Sequence, residues 1–283
     1  MKTYKEIKIK TEPFDVETVS GFLWQLDIDG VNEFDDHLSI FISETKLVSV
    51  EDVKLILEKL KEENIINSFQ IEEETFVEKN WNEEYEKNVN VVEVTDRIVI
   101  KPSFKNYEPK PNQIVITIDP KMSFGTGEHA TTKLVITELE QVIKGNEFVL
   151  DVGSGTAILG ITAVLLGASK AICIDNDEWC LLNGNENVKA NGLENSIDVR
   201  LGELKDIIEN EFDVIVANIN KHILIDICEQ LYNKIKKTGV LILSGLLNID
   251  ELDIVNLYQS KGFILKNKSA LDEWISLVFE IKK

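Results

Sequence analysis

From Tyr4 to Ile9 polar and apolar side chains alternate, which predicts a strand. Asp15 to Gln25 then carries Val16, Val19, Phe22 and Leu23 at helical spacing, and Asp52 to Glu63 repeats the pattern with Val53, Ile56, Leu57 and Leu60. Between these helices, Gly30 to Phe34 and Leu38 to Ser43 predict a strand pair, and Ser68 to Glu72 a closing strand. Strand, helix, two strands, helix, strand is the order of a split βαβ, ferredoxin-like α+β domain over residues 1–72. Residues 73–90 are charged and helix-permissive. They predict a linker helix, with Trp81 and Tyr85 four apart on one face.

The pattern changes over residues 91–283. Short apolar runs, from Phe148 to Asp151, Ala171 to Asp175, Ile197 to Leu201, Phe212 to Ala217 and Val240 to Ser244, predict strands. Helical spacing fills the gaps near Ile158 to Leu166, Glu178 to Ala190, His222 to Ile235 and Ile249 to Ser260. Strands that are apolar on both faces belong in a sheet covered by helices, so the fold class is α/β with a doubly wound parallel sheet. Phe263 to Lys268 and Trp274 to Ile281 leave no room for a helix between them and predict an antiparallel edge pair.

Composition narrows the function. The 283 residues are 43% hydrophobic and 28% charged, which describes a globular chain, and the net charge of −20 disfavours direct nucleic-acid binding. Cys173, Cys180 and Cys228 stand apart, as do His37, His129 and His222, so no zinc-site spacing is present. Cys173 lies in an apolar run and reads as a small core residue. The N-terminus has no hydrophobic signal region and no stretch approaches the ~20 apolar residues of a membrane span, so a cytoplasmic location is expected. Nothing signals an oligomer, and a monomer is expected.

The chemistry concentrates around VLDVGSGTAILG, residues 149–160. Gly153 permits a tight turn after a strand, and Gly155 permits close approach of a ligand to the backbone. Ala157 stands where a third glycine is usual. Asp175, twenty residues beyond Gly155, ends the next predicted strand, where a carboxylate can accept from two ribose hydroxyls. Asp177 reads as the cap of the following helix. Thr131 and Thr132 fall at the start of another predicted helix, where capping is their simplest role. Asn218 ends a buried strand and is placed beside a bound ligand, with Asn220 as its rival or as a helix cap. A nicotinamide oxidoreductase and a methyltransferase both fit the glycine loop and Asp175. A non-catalytic binding module is a third reading.

FGTGEHATT, LDVGSGTAILG, IDND and VIVANI, in this order and spacing, resemble the ribosomal protein L-eleven methyltransferase family, PrmA. The similarity extends through IVIKPSF (98–104), Trp81 and Glu273-Trp274. It implies a Rossmann-like class I methyltransferase sheet over residues 91–283, with S-adenosyl-L-methionine as cofactor. It implies contacts to that cofactor from Phe124, Thr132, Gly153, Gly155, Asp175 and Asn218. It also implies methylation of lysine ε-amino groups and of the N-terminal amine of the ribosomal protein, presented by the N-terminal domain. Asn218 is the candidate to orient the incoming amine. Ile219 and Asn220 follow it, not Pro-Pro and an aromatic ring, which favours an aliphatic amine over a planar one. His129 and His222 read as incidental, and no general base stands out.

Overall fold

The computed structural model describes residues 3–14, 16–34, 36–43, 45–77, 90–119, 121 and 123–282. The chain divides into two compact units, Met1–Asn88 and Val89–Lys283. In the first, β1 (Thr3–Glu12), α1 (Val16–Leu23), β2 (Gly30–Glu33), β3 (Leu38–Ser43), α2 (Val50–Glu62) and β4 (Ser68–Val77) form one antiparallel sheet of order β2-β3-β1-β4. This is the strand order of a split βαβ unit. Ile7, Ile9, Leu38, Ile40 and Ile42 turn inward from the sheet and pack on Val19, Leu23, Val53, Leu57 and Leu60 of the helices. Ser49 caps α2 through a reciprocal capping box with Asp52, so the helix begins at Val50, two residues earlier than the apolar spacing indicates.

The segment expected to begin a linker helix does not begin one. Glu73 to Val77 continue β4, because Thr3 to Ile7 of β1 offer them antiparallel partners. Residues 78–89, with Trp81 and Tyr85, lie outside the described residues.

The second unit opens with a small sheet, β5 (Val92–Glu93), β6 (Ile98–Lys101) and β7 (Ile114–Thr117), followed by α3 (Ala130–Val142). Strands and helices then alternate: β8 (Phe148–Val152), α4 (Ile158–Leu166), β9 (Lys170–Asp175), α5 (Glu178–Ala190), β10 (Ile197–Leu201), β11 (Phe212–Asn218), α6 (Lys221–Lys234) and β12 (Ile235–Leu247). After α7 (Glu251–Ser260) come β13 (Phe263–Leu271) and β14 (Trp274–Ile281). The sheet order is β10-β9-β8-β11-β12-β14-β13. The first five strands run parallel, and β14 and β13 are antiparallel to their neighbours. Apolar clusters cover both faces of this sheet, as the nearly all-apolar strands require.

The chain starts this sheet in its middle and winds outward in both directions. The order therefore reverses between β8 and β11, and a crevice opens at their carboxyl ends. Among the described residues no helix is long and apolar enough to cross a membrane.

Candidate active site

Strand register gathers the predicted residues. Val152 of β8 is level with Ile174 of β9 and Ala217 of β11. One step further along the chain come Gly153, Asp175 and Asn218, so all three lie in a single row at the carboxyl edge. Asn218 is level with Ser244 of β12, and Asp175 with Leu201 of β10. Three positions spread over 66 residues thus meet because parallel strands share a register.

The loop between β8 and α4 is closed on itself and on its neighbours. Gly153 and Ser154 both donate to the Ile174 carbonyl, at 2.9 and 3.1 Å. Gly155 N–H donates to Asp175 Oδ2 at 2.8 Å. Thr156 N–H donates to the Phe124 carbonyl at 3.0 Å, and its hydroxyl to the Gly125 carbonyl at 2.8 Å. Ala157 N–H donates to Ser154 at 2.8 Å. Gly155, at φ +53°, is required for a reason within the protein as well: a Cβ there would collide with the Phe124 carbonyl. Its small size admits a neighbouring protein loop. Ala157 occupies the left-handed region at φ 64°, is fully buried, and begins α4 without a side-chain cap. Its methyl faces Gly184 of α5, and it belongs to the apolar cluster that also holds Val149, Cys173 and Val199 of the strands.

Asp175 is half-buried, and its Oδ1 accepts from Asp177 N–H at 3.1 Å. Each oxygen thus carries one protein hydrogen bond and retains acceptor capacity for a ligand. Asp177 caps α5 through Trp179 N–H at 2.8 Å, as expected. Asp151, directly below the loop, is fully buried. Its Oδ2 accepts from Gly160 N–H at 3.0 Å, and the Cys173 thiol is beside it. Burial, above the nearby charge of Asp175, pushes its carboxyl up to about 7. Asp151 Oδ1 and Ser154 Oγ are buried without a partner among the described residues.

The segment before α3 corrects one reading, the capping role of the threonines. His129, set aside as a general base, is the N-cap: its Nδ1 accepts from Thr131 N–H at 3.3 Å and lies 2.8 Å from the Thr131 hydroxyl. Its ring also meets the Trp274 ring edge-on at 4.9 Å. The threonine hydroxyls therefore do not cap the helix. Thr132 is buried in the first turn, and its side chain makes no hydrogen bond to a described residue. The Phe124 ring is 91% exposed while its carbonyl is locked onto the glycine loop. Asn218 is half-buried and likewise makes no side-chain hydrogen bond to a described residue. Asn220 is the N-cap residue of α6 but supplies no capping bond.

Sequence reading passed over an asparagine ladder on α5. Asn183 Nδ2 donates to the Asp119 carbonyl at 2.8 Å, and Asn187 Oδ1 accepts from Asp119 N–H at 2.9 Å. Asn191 both donates to and accepts from the Thr117 backbone, at 2.8 and 2.9 Å. Asn187 Nδ2 reaches the Thr156 carbonyl at 3.1 Å, joining the ladder to the glycine loop. The signal was present as asparagines four apart in NGNENVKAN, a poor helix composition that a tertiary role explains.

The arrangement separates two cofactor classes. A dinucleotide pyrophosphate needs free N–H groups at the start of the helix. Here every N–H from Gly153 to Ala157 donates within the protein, and carboxylate and carbonyl oxygens surround the loop. The edge suits a cationic ligand with hydroxyls to donate. S-adenosylmethionine, with a sulfonium, an ammonium and a ribose diol, fits these groups.

The family described as Ribosomal protein L11 methyltransferase (PrmA) matches residues 3–282. The chain is 32% identical over 296 residues to the ribosomal protein L11 methyltransferase of Desulfotalea psychrophila, covering 99% of this chain and 98% of the relative. It is 33% identical over 310 residues to that of Streptococcus pneumoniae, covering 100% and 98%. The crystal structure of a ribosomal protein L11 methylase from Lactobacillus delbrueckii subsp. bulgaricus superposes with a TM-score of 0.65 at 30% identity, over 68% of this chain and 99% of that one. The chain belongs to the ribosomal protein L11 methyltransferase family, whose cofactor is S-adenosylmethionine.

Proposed function

We propose that the chain transfers methyl groups from S-adenosylmethionine to amines of ribosomal protein L11, namely lysine ε-amino groups and the N-terminal α-amino group. The observation that carries the reading is the glycine loop, whose N–H groups from Gly153 to Ala157 are all taken up within the protein while Asp175 beside it keeps acceptor capacity for a ligand's hydroxyls. A nicotinamide enzyme would need those N–H groups, so that alternative loses its support. Bound at this edge, the cofactor supplies an already activated methyl group, and the protein's task is positioning.

Asp175 accepts from the ribose hydroxyls through the lone pairs left open on both oxygens. The exposed Phe124 ring covers the cofactor, and the Thr132 hydroxyl and the turn at Gly153 and Gly155 complete the cradle. Asn218 aims the incoming amine with its side-chain oxygen. A free lysine, with a pKa near 10.4, is neutral in only about one molecule in 10³ at pH 7, and desolvation in the crevice favours the neutral form. The unit Met1–Asn88 presents the substrate protein. The enzyme acts as a cytoplasmic monomer without binding nucleic acid directly.

Purified chain, S-adenosylmethionine and ribosomal protein L11 test this together. Mass spectrometry is expected to show additions of about 14 Da per methyl group on L11 amines. Cofactor binding without any mass increase on L11 would overturn the substrate assignment. Calorimetric binding of NAD in place of S-adenosylmethionine would overturn the cofactor site.

A further inference from the structure

Beyond the groups that grip the cofactor, the crevice contains a device built from the residue after Asn218. β12 runs parallel to β11 as far as the pair Asn218 and Ser244. Its register against β14 then shifts between Leu243 and Leu246, so the strand bulges at Ser244-Gly245. Ser244 is fully buried and anchors the bulge by donating to the Ile275 carbonyl at 2.9 Å. Gly245 adopts φ +80°, and the bulge brings it directly against the backbone of Ile219. A Cβ at Gly245 would stand 2.5 Å from the Ile219 oxygen, 2.9 Å from its carbonyl carbon and 3.0 Å from its nitrogen. Backbone atoms cannot swing aside as the end of a side chain can. On the opposite side, the Ile219 Cγ2 methyl fills the space where Gly153 lacks a Cβ. Ile219 is thus held between two glycines, one in the glycine loop and one in β12.

We propose that Gly245 is a positioning residue that sets the direction of Asn218 through the backbone of Ile219. The consequence for turnover rests on the reading of Asn218 as the residue that aims the amine. The peptide joining Asn218 to Ile219 fixes where the Asn218 side chain leaves the strand. A methyl at Gly245 presses on the Ile219 nitrogen of that peptide and, more tightly, on the Ile219 carbonyl of the next, and so pushes the residue that follows Asn218 out of the sheet edge. Displacements of this order at an aiming group cost about 10²-fold in rate. Asp175 ends β9, which β8 and β11 separate from β12, and its cofactor contact stays in place.

The test uses the full chain and two readouts. The first is the side-chain amide signal of Asn218 in a ¹H–¹⁵N spectrum, assigned by its loss in Asn218→Ala. The second is kcat with ribosomal protein L11 at saturating cofactor, alongside the cofactor Kd. Gly245→Ala is expected to shift the Asn218 amide signal and lower kcat by about 10²-fold, with Kd changed less than about threefold. In the Asn218→Ala background, Gly245→Ala is expected to add little further loss, because both act on one group. An unmoved amide signal overturns the inference whatever the activity. A shifted signal with kcat lowered by Asn218→Ala but not by Gly245→Ala also overturns it. A shifted signal with kcat unchanged in both variants leaves the clamp standing and removes the aiming role of Asn218. If Gly245→Ala does not fold, Ser244→Ala removes the hydroxyl that ties the bulge to the Ile275 carbonyl and loosens Gly245 against Ile219 without a clash, and the amide signal is read in the same way.

Discussion

The loops that follow β8 and β11 lie side by side at one edge of one sheet, yet they are finished in opposite ways. From Gly153 to Ala157 every backbone N–H donates within the protein. After β11, the Asn218 and Asn220 side chains make no hydrogen bond to a described residue, and Ile219 is held by packing alone. A saturated loop is a fixed surface, because any displacement would strand buried donors. A loop with open amides keeps its polar groups for a molecule that arrives. On the proposed reading, the first loop grips the cofactor and the second aims the amine. Evidence for or against that division comes from changing each loop separately.

The largest expected effect lies beneath the saturated loop. Asp151 carries a carboxyl whose value in the fold, about 7, is far above the ~3.9 of an unfolded chain. The protonated acid is therefore favoured by folding. Its contribution is fully present below about pH 4 and is lost as pH rises through about 7. Near three units of difference correspond to roughly 4 kcal/mol, with 1.36 kcal/mol per unit. Asp151→Asn keeps an acceptor for Gly160 N–H and cannot ionise. In urea titrations its stability relative to wild type is expected to climb between about pH 4 and pH 7.5 and then level off. A pH-independent difference would mean that Asp151 is charged in the fold and has a cation beneath the loop.

The next effect breaks the division from the other side. Asn218→Ala is expected to lower turnover by about 10²-fold through loss of aim. Cofactor affinity should weaken by only about 0.5–1.5 kcal/mol, the value of one neutral hydrogen bond. Equal losses in turnover and affinity would make Asn218 a second grip on the cofactor and erase the contrast between the loops. Asp175→Ala is expected to do the reverse. It removes a charged acceptor from two hydroxyls, each contact worth about 1.5–3 kcal/mol, and should weaken S-adenosylmethionine binding by roughly 10–100-fold in calorimetry. At saturating cofactor its turnover should stay within a few-fold of wild type. Unchanged affinity would move the ribose to another carboxylate.

Much of this is legible in the sequence, and the remainder is hidden for identifiable reasons. The wound sheet was legible because helices such as Ile158–Leu166 and Glu178–Ala190 are separated by runs that are apolar on both faces. The row of Gly153, Asp175 and Asn218 followed, since each ends or follows a parallel strand. β4 was cut short because Glu73 and Glu74 favour helix locally, and only pairing with β1 overrides that preference. The small sheet left little trace, since β5 has two residues and β6 and β7 four each. At the site, the glycine loop was legible but its contact with the segment at Phe124 was not. The bond from Thr156 N–H to the Phe124 carbonyl joins two backbones, and no side-chain pattern reports it. His129 was passed over because histidine is an uncommon cap, and Gly245 because a bulge is a matter of register between strands.

The smallest expected effect concerns Ala157, where the loop departs from the usual glycine. Three terms of similar size oppose one another. Holding a non-glycine residue in the left-handed region, here at φ 64° and ψ 18°, costs about 1–2 kcal/mol that glycine would not incur. Glycine, in turn, loses about 0.4–1 kcal/mol more through the freedom of the unfolded chain. It also gives up a fully buried methyl, worth about 0.8 kcal/mol. That methyl packs where Gly184 of α5 has no side chain: a Cβ at Gly184 would stand 3.5 Å from it. The two positions have divided one space, with the side chain on the loop and the glycine on the helix. Ala157→Gly should therefore change unfolding free energy by less than about 1 kcal/mol in either direction, because the strain relieved matches the packing and entropy lost. Cofactor affinity should move by less than about threefold, since the N–H of residue 157 still reaches Ser154 in either variant. Urea titration and calorimetry on the same preparation decide it. A gain above about 2 kcal/mol would show that the loop stores strain its packing does not offset. A loss of that size would show that the methyl, and not the hydrogen-bonded backbone, holds the loop against α5.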